Sequence, residues 1–233
     1  MYYNICDLII KMEPDDITRK NAEKYKIPSM DYFDISVDSS IETAKREIKT
    51  NMSNQALCYL SAAKDFYRKL LNFNGTYIHA SSVVVDDKAY LFSAPCGTGK
   101  STHTSKWLEL FGDKAYILND DKPAIRILDD GIYAYGTPWS GKCDISVNKK
   151  VKLQSICFLQ RDNYNWINVL DLQKTFFELY RSSMKKISKV ELEKQMGIFD
   201  CLIKRIPIYE MGCTPTIEAA QMAYDVMSKG EVK

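Results

Sequence analysis

The stretch Tyr90-Leu91-Phe92-Ser93-Ala94-Pro95-Cys96-Gly97-Thr98-Gly99-Lys100-Ser101-Thr102 decides how the rest of the chain is read. An apolar run rises into a turn of small residues, and the turn opens onto Ser101 and a helical pattern. Strand, glycine-bearing loop, Lys-Ser and helix start, in that order, compose the loop that cradles phosphates. Gly97 and Gly99 let the backbone curl so that successive N–H groups point inward at phosphate oxygens. The helix start adds unpaired amides and the positive end of a dipole. Lys100 is expected to reach the outer phosphates and the Ser101 hydroxyl to sit on Mg2+, with Cys96, Gly97, Thr98, Gly99 and Thr102 around the nucleotide. The strict pattern has glycine at position 94; this chain has Ala94, followed by Pro95, which has no N–H to donate. The later amides, Gly97 to Ser101, are the ones the chemistry needs. The competing reading is an ordinary strand-to-helix turn with an exposed lysine.

At 233 residues the chain is long enough for one large α/β domain, or one domain with a small appendage. Apolar content of 45% and charged content of 27% are ordinary for a globular protein. A net charge of +2 argues against a generic nucleic-acid binder, which concentrates basic residues on one face. No apolar run reaches membrane-spanning length, and Met1-Tyr2-Tyr3 begins no signal peptide, so a cytoplasmic protein is expected. The seven cysteines form no C-x-x-C pair and read as reduced thiols. Cys96 is set apart by its place beside the loop amides, where a thiol is expected to be reactive.

In chain order, residues 1–12 alternate as one strand, and residues 31–37 as a second that joins it in a small antiparallel unit. Residues 41–73 are helical, in two pieces meeting near 51–54, with Ser39 or Ser40 as N-cap. A strand over 77–85 and its return over 88–92 flank an Asp86-Asp87 turn and lead into the phosphate loop. A helix over 101–111 follows, ending at Gly112. The short apolar run 114–118 reads as a buried strand with Asn119-Asp120-Asp121-Lys122 beyond its C-terminal end. Next come a hairpin over 124–135 and the loop Gly136-Thr137-Pro138-Trp139-Ser140-Gly141-Lys142. A strand over 151–160, helices over 171–184 and 188–203, a strand over 206–211 and a helix over 215–227 complete the chain. Residues 1–75 are expected to form an N-terminal strand and helix region packed on a core of residues 76–233.

Ligands of open α/β sheets lie beyond the carboxyl ends of the strands. Two adjacent carboxylates there, after a phosphate loop, can hold Mg2+ or take a proton from an attacking hydroxyl. Lys122 and Lys142 are candidate cations for phosphate or substrate. The alternative for the acidic pair is a solvated turn after an edge strand.

With His79, the phosphate loop, N-D-D-K-P and G-T-P-W-S-G-K laid out, the chain resembles the catalytic domain of HPr serine kinase/phosphorylase and its short relatives, the lasso-peptide serine kinases among them. The resemblance runs from about Tyr77 to the C-terminus and is sharpest from His79 to Lys142. It implies a phosphoenolpyruvate carboxykinase-like P-loop kinase core of the α/β class, with a mixed sheet and a small N-terminal α+β appendage. It also implies that His79, whose spacing from Lys100 matches the family, lies close to the transferred phosphate, and that Asp120 and Asp121 match the paired acidic residues. The glycine-rich, arginine-containing stretches of the bifunctional members are missing after the acidic pair, and no counterpart of their separate N-terminal domain is found. HPr as acceptor and the phosphorylase reaction therefore fall outside what the resemblance implies.

The expected activity is transfer of the γ-phosphoryl group of ATP, with Mg2+, to a serine or threonine hydroxyl of a peptide or small protein. Lys100 and the loop amides hold phosphates, Ser101 and one aspartate hold Mg2+, and the other aspartate with His79 draws the acceptor's proton. Which aspartate takes which part is open, as is self-association of the chain. Two other readings remain: a kinase for a small hydroxylated metabolite, and a nucleotide-dependent binding protein without catalysis. His103 reads as structural.

Overall fold

The computed structural model describes residues 1–48, 50, 52–141 and 144–230, without the side chain of Glu47. The first twelve residues form a hairpin of β1 (Tyr2–Ile5) and β2 (Leu8–Met12), not the single strand expected. Cys6 and Asp7 turn the chain with φ of 59° and 58°, the doubly left-handed turn that suits twisted strands. Cys-Asp lacks the Asn-Gly signature of such turns, which is why alternation alone reads straight through it. Helix α1 (Asp16–Ala22) starts at Asp15, whose carboxylate accepts the amides of Ile17 and Thr18. Strand β3 (Lys26–Ile27) joins β1, and β4 (Ile35–Val37) joins β2 in parallel, so this four-stranded sheet is mixed where an antiparallel unit was expected. Tyr32 and Phe33, expected in the second strand, are exposed before it.

The helical stretch breaks where expected, into α2 (Ile41–Glu47), capped by Ser40, and α3 (Asn54–Leu70), capped by Ser53. The expected strand over 77–85 is two strands. β5 (Gly75–Tyr77) pairs with β9 (Ala124–Leu128), whereas β6 (Ala80–Val85) lies between β7 (Lys88–Ser93) and β8 (Ala115–Asp121). The chain changes partners at Ile78-His79. Helix α4 (Lys100–Phe111) separates β7 from β8 in sequence. After β9 come β10 (Gly131–Tyr135), the long β11 (Lys150–Arg161) and β12 (Trp166–Val169). Helices α5 (Leu172–Ser182) and α6 (Lys189–Arg205) then lead to β13 (Ile208–Cys213) and α7 (Ile217–Met227). The nine-stranded sheet runs β5-β9-β10-β11-β7-β6-β8, with β13 parallel on β11 and β12 antiparallel on β13. β12 has no counterpart in the sequence reading, because its four residues WINV sit among polar turn residues.

The central strands are buried on both faces, as strands covered by helices on each side must be. Along β7, Tyr90 and Phe92 face a cluster with Trp107 of α4 and Ala219 and Ala223 of α7. Ala89 and Leu91 face the larger cluster, which also holds Ile10, Phe66, Trp139 and Phe199. That cluster takes in residues from both sides of position 75. Strand β8 runs on to Asp121 and is half-exposed along much of its length, so the expected short buried strand is corrected to a longer edge strand that contains the acidic pair. Its outer side is closed by residues 145–147 of the β10–β11 connection: Asp120 N–H donates to Ile145 O at 3.0 Å and Val147 N–H to Leu118 O at 3.0 Å.

Gly136 makes that closure sterically possible. A Cβ there would lie 1.8 Å from Val147 O and 2.8 Å from Leu118 O, both backbone atoms that no rotamer can move. Gly136→Ala is expected to destabilise the protein by about 3 kcal/mol or more. Urea unfolding midpoints check this; a change under about 1 kcal/mol would show that the segment over β8 is not closely packed.

Candidate active site

Strands β7, β11 and β13 are mutually parallel, and β8 runs in the same direction through the antiparallel β6. Their carboxyl ends therefore open at one end of the sheet, the position where α/β sheets place ligands. From β7 the chain passes through residues 94–99 into α4. Gly97 and Gly99 take φ of +78° and +118° with open space where a Cβ would stand, so it is the backbone conformation that calls for glycine. No side chain caps α4 at Gly99, which leaves the amides of its first turn for a ligand. Lys100 is half-buried and its Nζ donates to Ala94 O at 2.9 Å. Burial pulls its ammonium pKa down, opposed by Cys96, Asp121 and Asp120. Cys96, Gly97, Ser101 and Thr102 are exposed, and Thr98 is half-buried.

The structure brings the acidic pair and His79 to this loop, and gives the two carboxylates different partners. Ser101 Oγ donates to the Asp120 carboxylate, 3.2 Å from each oxygen. Asp121 faces the other way, with His79 Nε2 3.1 Å from Oδ1 and Lys122 Nζ on Oδ2. Burial alone would push the Asp121 carboxyl up; the His79 hydrogen bond and the Lys122 ammonium outweigh it and hold the group at about 2. Burial, and then the Asp121 charge, push the neighbouring Tyr77 phenol up to about 12. Lys142 lies outside the described residues. His103 is structural, as expected: it is buried, accepts from Trp107 Nε1 at 3.2 Å, and burial lowers its pKa to about 4.

Several residues that hold the site are not apparent from sequence. Asn119 Oδ1 accepts the amides of Asp121 and Lys122 at 3.2 and 2.8 Å, and its Nδ2 donates to Thr137 O at 3.0 Å. The buried Tyr67 hydroxyl of α3 reaches Lys122 O at 2.5 Å and Thr137 Oγ1 at 2.9 Å. Tyr59, also on α3, accepts from Gly141 N–H at 3.3 Å. Arg161 ends β11 with its guanidinium on the carbonyls of Thr98 (3.2 Å) and Gly97 (2.5 Å) of the loop. Its one sequence signal is its place at the carboxyl end of a strongly apolar strand. A cavity of about 530 Å³ opens beside the loop, lined by Thr98, Thr102, Arg161, Asn163, Thr214 and Pro215 among others.

The oxygen donors suit a hard divalent cation. One hydroxyl and one carboxylate meet at Ser101 and Asp120, in the way Mg2+ is held by one or two protein oxygens with phosphate and water filling the remaining positions. Among the described residues, no group of three or more His, Cys, Asp or Glu side chains forms a self-sufficient metal site. Nor, among the described residues, is any helix long and apolar enough to cross a membrane.

No protein-family model and no curated protein matches the chain. Among solved structures it is similar to the HPr(Ser) kinase/phosphatase from Coxiella burnetii, at 13% sequence identity and a TM-score of 0.28, over 55% of this chain and 91% of that one.

The depressed Asp121 pKa has a measurable consequence. Its folded value, about 2, lies below the ordinary 3.8 of an aspartate, so its stabilisation is complete above about pH 4 and is lost as pH falls through 2. Asp121→Asn is expected to be less stable than wild type by on the order of 2 kcal/mol near neutral pH. The gap should close progressively below about pH 4, where the wild-type carboxyl takes up its proton. Urea unfolding of the two proteins across that range reads it out; a pH-independent gap would contradict the ionised pair.

Proposed function

We propose that the chain is an ATP- and Mg2+-dependent phosphotransferase that phosphorylates a serine or threonine hydroxyl of a peptide or small protein. The observation that carries this reading is the convergence, at the uncapped start of α4, of Lys100, Ser101–Asp120 and His79–Asp121. In this reading the amides from Gly97 to Ser101 and the Lys100 ammonium hold the phosphates, and Arg161 braces the loop from outside by its carbonyls. The nucleoside occupies the 530 Å³ cavity beside Thr102 and Asn163. Ser101 and Asp120 hold Mg2+, which when bound supplies charge neutralisation on the phosphates.

Asp121 and His79 work on the acceptor hydroxyl. A carboxyl held at about 2 stays negative at neutral pH but keeps a transferred proton poorly. An imidazole is the side chain suited to accept it, and Asp121 is placed to orient that imidazole and stabilise its charge. In this reading Asp120 serves the metal and Asp121, through His79, the proton.

Calorimetric titration with ATP across a range of Mg2+, beside transfer to serine-containing peptides, tests the scheme. Lys100→Ala should weaken Mg2+-ATP binding about tenfold or more. Asp120→Asn should raise the Mg2+ needed for ATP binding. Asp121→Asn and His79→Ala should leave ATP affinity nearly intact while transfer falls roughly 10²–10⁴-fold. Unchanged ATP affinity in Lys100→Ala would end the phosphate-loop reading, and wild-type transfer in both proton-pair variants would end the catalytic one.

A further inference from the structure

Helix α5 buries one side and leaves a broad apolar side in solvent. Thr175, Leu179 and Ser182 are buried, whereas Leu172 is 71% exposed, Phe177 61%, and Phe176 and Tyr180 are exposed as well. At helical spacing these four exposed residues span an arc of about 140°. Val169 before the helix and Val190 at the start of α6 are also exposed. Large side chains gathered in this way mark an interaction site rather than scattered surface residues.

The surface is also basic. Residues 171–190 hold five cations against two carboxylates, a net of +3 in a chain whose total is +2. Arg181 pairs with Glu178, and Lys174 with Asp171 and Glu210. Lys185, Lys186 and Lys189 at the α5–α6 corner are exposed, and among the described residues none has a carboxylate within 4.0 Å. The surface leads to the reacting end of the sheet. A groove of about 360 Å³ runs from Phe177 and Arg181 to Pro95 of the phosphate loop. At the end of α5, Ser182 O accepts His79 N–H at 2.7 Å.

We propose that the exposed face of α5 and the lysines after it form the docking surface for the acceptor, an acidic amphipathic peptide segment that lays apolar side chains on Leu172, Phe177 and Tyr180 and carboxylates on Lys185, Lys186 and Lys189. This rests on the phosphotransferase reading. Charge complementarity selects an acidic partner, and the groove to Pro95 selects a chain that continues into the active site. An anionic membrane or a second copy of the protein could cover the same side chains, but neither accounts for the groove.

The test uses the full chain and a fluorescent peptide in which leucine and phenylalanine alternate with glutamate at helical spacing around one serine. Controls are the same peptide with lysine for glutamate, and phosphatidylserine-containing vesicles. The acidic peptide should bind by fluorescence anisotropy and weaken with added salt. Phe177→Glu, and separately Lys185→Glu with Lys186→Glu, should weaken it roughly tenfold or more. Both variants should keep wild-type Mg2+-ATP affinity and thermal midpoint, which excludes misfolding. Equal binding of the lysine peptide, binding of vesicles alone, or a dimer dispersed by Phe177→Glu with no peptide bound would overturn the proposal. Peptide binding that depends on these residues in a protein that fails to bind Mg2+-ATP would uphold the docking surface and remove the phosphotransferase reading. ATP binding without peptide binding would do the reverse.

Discussion

The site depends on the register of one residue. Ala80, the first residue of β6, pairs with Ser93 on one side and Asp121 on the other. Ser93 is the last strand residue before the loop of residues 94–99, and Asp121 the last of β8. A single backbone position therefore sets the distance between the loop and the acidic pair, and His79 is the residue immediately before it. The Ser93 hydroxyl donating to His79 O at 2.9 Å ties the corner further. Because side chains alternate across a strand, a slip of one residue in either pairing would turn the functional groups to the wrong face.

A bulge corrects that alternation where it is needed. Between β6 and β8 the register shifts between Ser82 and Val83, so that Asn119 faces Ser82 while Ile117 faces Val83. Leu118 is the extra residue, and it stays fully buried. Past the bulge, Asn119 points inward to Thr137, Asp120 to Ser101 of α4, and Asp121 to His79 on the opposite face. Adjacent carboxylates on a strand cannot share one partner set, since successive side chains leave from opposite faces. Their different environments follow from this: Asp120 meets a hydroxyl at the uncapped end of a helix, and Asp121 meets an imidazole and an ammonium. Bulges beside reactive centres commonly re-aim side chains in this way.

Much of this was legible in the sequence because it is local. The order of β7, loop and α4, the glycines with positive φ, and the Asn119–Lys122 cluster are all written in contiguous residues. What was not legible depends on pairing across the chain. The alternating apolar pattern of residues 77–85 carries no mark of a change of partner at Ile78-His79, since both halves are strands. The Asp120–Asp121 pair read as lying beyond a strand because Asn and Asp are poor strand formers; pairing with β6 and with Ile145 overrides that preference. Arg161 is separated from the loop it braces by more than sixty residues, and only the parallel pairing of β11 with β7 brings it there.

Residues before position 75 complete the site from behind. Tyr67 is fully buried, and burial holds its phenol far above the usual range, so it stays a neutral hydroxyl with two oxygen neighbours. One is the carbonyl of Lys122, the residue whose ammonium lies on Asp121; the other is Thr137, which Asn119 also engages. A buried hydroxyl left without partners costs on the order of 1–3 kcal/mol, so Tyr67, Thr137, Asn119 and Lys122 constrain one another. Phe66, next in sequence to Tyr67, stacks on Trp139 at 4.8 Å and fixes the loop that carries Thr137. Helix α3 is therefore the back wall of the acidic strand end. The position of Asp121 is thus tied, through Lys122 and Thr137, to aromatic packing of Phe66 and Tyr67.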